Sequence, residues 1–122
     1  DWRLYMSLLD KTKLCIDVSH AQLWGYDPVE SIQEFRGQLN YIHLQDYFSS
    51  SRGEAGNYDP VWCDVGEGEY MDFPKILKAL EGIGFTRWVT SCPGVPHPQH
   101  PDSSTDAERS KRTRQYLKNL GY

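Results

Sequence analysis

The sequence predicts an α/β fold built on a parallel sheet. Three short apolar runs with strand character alternate with helical segments, and the connections after these runs are longer than the connections before them. Alternation of this kind is typical of parallel strands joined by helical crossovers. In such folds the long connections after the strands carry the functional residues, so we expect a site at the carboxyl ends of the strands.

The chain opens on a helix-like segment, Trp2 to Leu9, ahead of the first predicted strand at 14–18. It begins at Asp1 rather than at a methionine, and the pattern indicates no strand before the opening helix. We therefore expect this chain to be a piece of a longer protein.

Helix-start residues follow the first strand. Asp27 can cap a helix, Pro28 suits its first turn, and Glu30 at the third helical position gives a capping-box geometry. This helix is expected to end near Gly37, and the second strand is predicted at 39–45.

A long stretch, Tyr47 to Met71, comes after the second strand. It exceeds the ~12–15 residues usual for a connection without secondary structure, so it predicts an irregular lid or substrate loop. Within it, the motif from Gly66 to Glu69 looks like a phosphate-binding loop. Its two carboxylates would repel phosphate, and we interpret the motif as structural.

The last part of the chain repeats the strand–helix order. Asp72 caps a helix with Pro74 in its first turn, and the third strand is predicted at 86–91. A proline-rich loop then leads to a polar helix at 105–120. The apolar stripe of the helix after Asp72 consists of Ile76, Leu77 and Leu80.

The composition is that of an ordinary globular domain: 122 residues, 39% hydrophobic and 25% charged, with a net charge of −4. It indicates neither nucleic acid nor a membrane as a partner, and we interpret the one basic stretch, 109–114, as the solvated face of a helix. No apolar run approaches the ~20 residues that a membrane span needs. Three widely spaced cysteines, Cys15, Cys63 and Cys92, do not form a disulfide framework and predict a cytoplasmic location.

Polar side chains stand at the ends of the predicted strands: Asp17, His43 and Cys92. Because side chains alternate along a strand, all three can point inward if the sheet curls into a barrel. A carboxylate and an imidazole suit Mn²⁺, Co²⁺, Zn²⁺ or Mg²⁺. His20, just beyond the first strand, can reach a substrate oxygen or act as acid or base. In the alternative, which the spacing alone favours, Asp17 caps a turn and His43 is hydrogen-bonded in the core.

Several short motifs, taken in order, resemble one group of enzymes. They are Leu14-Cys-Ile-Asp-Val-Ser-His20, Gly25-Tyr-Asp-Pro28, Tyr41-Ile-His-Leu-Gln-Asp46, Val65-Gly-Glu-Gly-Glu69 with Asp72-Phe73-Pro74, and Gly84-Phe-Thr-Arg-Trp-Val89. The set resembles the sugar phosphate isomerase/epimerase family with the xylose isomerase-like TIM barrel, and inosose dehydratase-like proteins look most similar. The resemblance implies that residues 1–122 form the C-terminal portion of such a domain. That portion is three β/α units of a TIM (β/α)8 barrel, incomplete because the whole fold needs about 250 residues.

The same resemblance implies roles for individual residues. The family's aspartate and histidine metal ligands fall on Asp17 and His43, and its substrate-contacting histidine falls on His20. Asp46 falls on an aspartate that is usual in the family, and we expect it to bind substrate. A divalent metal (Mn, Co, Mg or Zn) is the implied cofactor. The family's last ligand, a glutamate, falls on Cys92, and its first glutamate lies on sequence that this chain lacks.

Two tryptophans, Trp24 and Trp62, lie in predicted loops on the proposed catalytic side. They can stack on a sugar ring and bind substrate, or they can simply cover the barrel rim, and the pattern leaves both open. Cys92, His97 and His100 are zinc donors by type, but a fourth ligand is not evident, so we do not predict a zinc site there.

Two hypotheses about the function follow. In the first, the chain is a fragment or divergent member of a metal-dependent isomerase, epimerase or dehydratase family, whose chemistry is proton abstraction next to the carbonyl of a sugar or cyclitol. In the second, the chain is a non-catalytic truncated barrel that binds a sugar, associates with another copy, or joins the remainder of the barrel. The thiol at Cys92 and the missing strands favour the second function.

Overall fold

A computed structural model describes residues 2–52, 58–95 and 102–122. Its elements, in chain order, are α1 (Trp2–Ser7), β1 (Leu14–Asp17), α2 (Val18–Leu23), α3 (Pro28–Glu34), β2 (Leu39–Leu44), β3 (Asp46–Arg52), β4 (Tyr58–Cys63), α4 (Phe73–Gly82), β5 (Trp88–Ser91) and α5 (Asp106–Asn119). Strands β1, β2 and β5 form a parallel sheet in the order β1-β2-β5, as predicted, and β3 pairs with β4. None of the described helices is long and apolar enough to cross a membrane.

The sheet has one buried face and one open face. Ile16 and Ile42 point to the buried face and join apolar side chains of the helices in one core. The opposite face carries Cys15, Tyr41 and Trp88, which are paired with one another across the three strands. Trp88 is 76% exposed there, and the described residues form no closed barrel. The helix residues of the core include Ile32, Phe73, Ile76, Leu77 and Leu80.

A short helix that the sequence pattern does not indicate follows β1 directly. The Asp17 side chain caps α2 by accepting hydrogen bonds from the backbone N–H groups of Ser19 and His20. An aspartate in this position satisfies N–H groups that the first turn of a helix leaves without partners. The cap fixes Asp17 at the end of the strand and places His20 in the first turn of the helix.

The stretch after β2 is not an irregular loop, and the prediction for Tyr47 to Met71 is wrong over its first part. Asp46 pairs with Cys63 and Tyr47 pairs with Trp62 in the antiparallel hairpin of β3 and β4. The hairpin gives backbone N–H and C=O groups their partners, which a long irregular loop would leave to solvent. It also fixes Trp62 opposite Tyr47.

The glycine-rich segment after β4 has a structural role, as the sequence indicated. The backbone N–H groups of Gly66 and Gly68 each donate to Asp46 Oδ2 at 3.0 Å. A side chain at Gly68 would collide with the Asp46 carboxylate, and Gly66 has a φ of +93°, which favours glycine. The two N–H groups therefore hold an internal carboxylate rather than a phosphate.

Helix α5 is tied to the rest of the chain by two arginines. Arg109 is only 3% exposed, and Arg112 Nη2 donates to Asp64 Oδ2 at 2.6 Å and to Asp102 Oδ2 at 2.7 Å. The prediction of a solvated basic face at 109–114 is wrong for these two residues. One partner of Arg112, Asp64, lies 48 residues away in the sequence, where helical periodicity gives no sign of it.

Candidate metal centre

Asp17 and His43 stand side by side at the carboxyl ends of adjacent strands. They are partners in the register of β1 and β2, and Asp17 Oδ2 lies 3.9 Å from His43 Nδ1. The predicted convergence of these two side chains is therefore confirmed. Their side chains are 17% and 36% exposed, respectively, so an ion from solvent can reach both.

The two carboxylate oxygens of Asp17 have different surroundings. Oδ1 accepts hydrogen bonds from the N–H of Ser19 at 3.0 Å, from the Ser19 hydroxyl at 2.7 Å and from the N–H of His20 at 3.2 Å. Oδ2 is the oxygen that faces His43. Asp17 is thus a helix cap through one oxygen, and its other oxygen stays accessible to an ion, so the capping role and the predicted ligand role are compatible.

Cys92 completes a cluster of three donors, which we call the strand-end cluster: Asp17, His43 and Cys92. One ligand atom from each of the three residues lies within 4.8 Å of the others. The Cys92 N–H donates to the carbonyl of Leu44 at 2.8 Å, which keeps Cys92 beside the end of β2. Burial, the Asp17 carboxylate and the nearby Cys15 raise the pKa of the Cys92 thiol above its ordinary value. A metal ion that binds this sulfur as a thiolate must therefore displace a proton.

Tyr41 and Thr90 form a pair beneath the strand-end cluster that sequence analysis missed. Their hydroxyl oxygens are 2.6 Å apart and hydrogen-bonded, and the Tyr41 ring meets the His43 ring edge-on with centroids 5.2 Å apart. Alternation along β2 already indicates that Tyr41 shares the face of His43. The partner could not be found, because the pairing of β2 with β5 depends on the fold.

The other predicted site residues lie in two places: Trp62 in the hairpin, against His20, and Trp24 at a neighbouring cleft. The His20 ring is 5.2 Å from the Trp62 ring of the hairpin, so α2 and the hairpin meet beside the strand-end cluster. Trp24 is 63% exposed and lines an open cleft of about 250 Å³ together with His20, Asp17 and Cys15. His20 is therefore near both tryptophans: its ring contacts Trp62, and it lines the cleft together with Trp24.

Asp46 does not belong to an accessible site, and the predicted substrate contact is not supported. The residue is 0% exposed, and its carboxylate accepts hydrogen bonds from the N–H groups of Tyr47, Gly66 and Gly68. Burial raises the pKa of this carboxyl, while the three N–H groups act in the opposite direction. A carboxylate enclosed in this way holds the loop after β4 to the start of β3, which is a structural role.

The other zinc donors by type, Cys92, His97 and His100, are only in part among the described residues. His97 and His100 lie outside the described residues, whereas Cys92 belongs to the strand-end cluster. Cys15, Cys63 and Cys92 are all free cysteines. The cytoplasmic location that their spacing suggests stays a prediction.

Residues 5–120 match the family model described as xylose isomerase-like TIM barrel. The chain belongs to this family. The xylose isomerase-like family membership accounts for the strand–helix order, and it confirms the predicted fold of an incomplete barrel with a parallel sheet. The strand-end cluster therefore lies where barrels of this class carry their active sites, at the carboxyl ends of the strands.

One similar protein is the inosose dehydratase of Geobacillus kaustophilus (strain HTA426). It is 28% identical over 98 residues, which cover 70% of this chain and 32% of that protein. The chain thus spans about a third of the length of this inosose dehydratase.

Solved structures show the same fold. A sugar phosphate isomerase/epimerase from Parabacteroides distasonis ATCC 8503 has a TM-score of 0.64 and 21% identity, covering 88% of this chain and 31% of that one. A xylose isomerase domain protein from Planctomyces limnophilus has a TM-score of 0.64 and 20% identity, covering 88% and 37%. A D-tagatose 3-epimerase-like protein has a TM-score of 0.60 and 17% identity, covering 96% and 40%. At these identities the similarity establishes the fold.

The xylose isomerase-like family is often metal-dependent, and the strand-end cluster fits a divalent ion by its chemistry. It offers one carboxylate oxygen, one imidazole nitrogen and one sulfur within a single small volume. Zinc and cobalt accept all three donor types, whereas magnesium and manganese prefer oxygen.

Proposed function

We propose that this chain supplies part of a divalent-metal site in an enzyme that isomerises, epimerises or dehydrates a sugar or cyclitol by proton abstraction next to a carbonyl. The observation that carries the proposal is the convergence of Asp17, His43 and Cys92 at the carboxyl ends of three neighbouring parallel strands. The names of the related proteins, an inosose dehydratase and sugar phosphate isomerase/epimerases, support this class of substrate.

The ligands of the ion would be Asp17 through Oδ2, His43, and Cys92 through its sulfur. When bound, the ion would polarise the substrate carbonyl and stabilise the negative charge that develops on its oxygen. The mixed donor set favours Zn²⁺ or Co²⁺ over Mn²⁺ or Mg²⁺. Three protein ligands with an open position are the usual arrangement of a catalytic zinc site.

The remaining residues of the site would bind and orient the substrate. His20 lies in the first turn of α2, beside Asp17, and its ring is held by the contact with Trp62. In this position His20 can hydrogen-bond a substrate hydroxyl or transfer a proton to or from a substrate oxygen. The exposed ring of Trp24 offers an apolar surface for the face of a sugar ring at the neighbouring cleft.

Titration of the metal-free protein with Co²⁺ tests the proposal. We expect Asp17→Asn to weaken Co²⁺ binding, because an amide is a poorer ligand than a carboxylate, while asparagine still caps α2. Asp27→Asn is the matched control, since Asp27 caps α3 through the N–H groups of Val29 and Glu30 in the same way. Equal losses in the two variants, or Co²⁺ binding that is unaffected by Asp17→Asn, would contradict the proposal.

A second candidate function is favoured by the open face of the sheet. Trp88 is 76% exposed and Cys15 is also exposed, so apolar side chains that a closed barrel would enclose face solvent. In this alternative the chain is a non-catalytic module whose open face binds another copy or the remainder of a barrel. A Co²⁺ titration that shows no binding, together with concentration-dependent association, would favour this alternative over the enzyme.

A further inference from the structure

We propose that Asp64 and Arg109 are positioning residues for Cys92, and that they hold the end of β5 so that the thiol faces Asp17 and His43. The proposal rests on the proposed function, because it assigns to two buried residues the task of placing the third donor of the strand-end cluster. It goes beyond that function by linking α5 and the end of β4 to the metal centre.

The segment after Cys92 is held from two sides at Gly94. The Gly94 N–H donates to Asp64 Oδ1 at 3.1 Å, and the Gly94 carbonyl accepts a hydrogen bond from Arg109 Nη1. A side chain at Gly94 would collide with the backbone of Cys63. Gly94 is therefore pressed against the end of β4, and Asp64 and Arg109 together act as a clamp on its peptide groups.

Cys92 lies between this clamp and the sheet. Its own N–H donates to the carbonyl of Leu44, which extends the β2–β5 pairing beyond the last strand residue. The clamp acts two residues later, at Gly94. With the backbone held before and after Cys92, few orientations of its Cα–Cβ bond remain, and the sulfur lies in the strand-end cluster.

The two clamp residues are unusual in being charged and buried. Asp64 is 1% exposed and Arg109 is 3% exposed. Burial of a charged group is costly unless it is paired, and Asp64 is paired through its second oxygen with Arg112 at 2.6 Å. Groups that orient metal ligands without touching the ion commonly change metal affinity when they are removed. If the clamp only stabilised the fold, its removal would lower stability but would leave the Cys92 thiol in the strand-end cluster of the folded protein.

The experiment compares Arg109→Met with Arg114→Met, since Arg114 is an exposed arginine on the same helix. The first readout is the thiolate-to-cobalt absorption of Co²⁺-loaded protein, with Co²⁺ as the probe. We expect Arg109→Met to lose this absorption and to bind Co²⁺ about tenfold more weakly. Arg114→Met should match the wild type, and Arg109→Lys should restore part of the absorption because it keeps a buried cationic donor.

The second readout needs no metal. The alkylation rate of Cys92 by iodoacetamide, followed by peptide mass spectrometry, should rise in Arg109→Met and stay unchanged in Arg114→Met. If the wild type binds no Co²⁺, the proposed function fails and this rate alone decides the positioning role.

Unfolding curves establish which variants are folded under the conditions of both readouts. An unchanged alkylation rate and unchanged thiolate absorption in folded Arg109→Met would overturn the proposal. If Arg109→Met does not fold, the same two readouts are applied to Asp64→Leu, which keeps roughly the size of the side chain and removes the acceptor of the Gly94 N–H. Wild-type behaviour of folded Asp64→Leu would overturn the proposal equally.

Discussion

Under the proposed function, Cys92 would determine which ions suit the strand-end cluster. It occupies the position where the family resemblance places a glutamate, and it lies within reach of Asp17 and His43. As a ligand, a sulfur donor at this position would make the cluster suit borderline ions rather than hard ones. Asp17 and His43 would be compatible with either kind of ion, so a single residue sets the preference.

Cys92→Glu should therefore tighten Mn²⁺ binding, because a carboxylate replaces a thiol at the third ligand position. We expect a gain of about tenfold, which corresponds to ~1.4 kcal/mol. Calorimetric titration with Mn²⁺ measures it, and Gln115→Glu, which adds a carboxylate at an exposed position of α5, is the control. Equal Mn²⁺ affinity of Cys92→Glu and the wild type would show that residue 92 is not a ligand.

At the scale of elements, two of the connections are fastened by carboxylates from other parts of the fold. The loop after β4 is fastened to Asp46 at the start of β3, and the loop after β5 is fastened to Asp64. Helix α5 closes this arrangement through Arg112, which bridges Asp64 and Asp102. Each of these two loops is thus held by a buried carboxylate that belongs to another part of the chain.

Gly68→Ala should loosen the first of these fastenings. The new methyl group would displace the Asp46 carboxylate and leave a buried charge short of hydrogen bonds, which costs about 1–3 kcal/mol. Urea denaturation measures the loss. Gly82→Ala, at the open end of α4 where a side chain meets nothing within 4 Å, should be neutral or stabilising. A loss of the same size in both variants would show that the contact with Asp46 is unimportant.

Acid should weaken the attachment of α5. Hydrogen bonds from Ser104 and the Arg112 guanidinium lower the pKa of Asp102 to about 2. Because this pKa lies below that of an unfolded aspartate, the stabilisation is fully present above pH ~3.9 and is lost as the pH falls towards 2. We expect the unfolding free energy to fall less steeply over this range in Asp102→Asn than in the wild type.

The control for this pH dependence is Asp10→Asn, which changes an exposed aspartate before β1. Its unfolding free energy should follow the wild-type pH profile from pH 2 to pH 5. If Asp102→Asn followed the wild-type profile as well, the interaction of Asp102 with Ser104 and Arg112 would contribute nothing to folding.

The sequence predicted the elements whose signals are local. The parallel strands are apolar runs, and α3 and α4 begin at Asp27 and Asp72, which cap them as expected. Convergence of Asp17 and His43 was predicted from the alternation of side chains along the strands together with the expected parallel pairing of those strands. The hairpin was missed because its first strand is polar and serine-rich. The burial of Arg109 was missed because its partners come from residues that only the fold brings near.

At the scale of the molecule, the open face of the sheet dominates. β1 and β5 are the edge strands of the parallel sheet, and Trp88 and Cys15 are exposed on the face that a whole barrel would enclose. Unpaired strand edges and exposed apolar side chains favour association with other chains. The chain spans about a third of the length of its relatives, which supports this expectation.

We therefore expect this chain to self-associate at micromolar concentration, and Trp88→Lys to reduce the association by placing a charge on the open face. Sedimentation velocity across a dilution series measures it. Tyr5→Lys, at a residue of α1 that is 64% exposed, is the control. A compact monomer that unfolds cooperatively at all concentrations would contradict the expectation.

The order of the strands has a kinetic consequence. The central strand β2 must pair with β1 on one side and with β5 on the other, and the hairpin and α4 separate β2 from β5 in the chain. Contacts between distant segments form slowly, because a long loop must close before they stabilise anything. In refolding, the hairpin of β3 and β4 should acquire protected amides first, and the edge of β2 that faces β5 should acquire them last. We therefore expect the strand-end cluster to be assembled in the final step, since Cys92 arrives with β5.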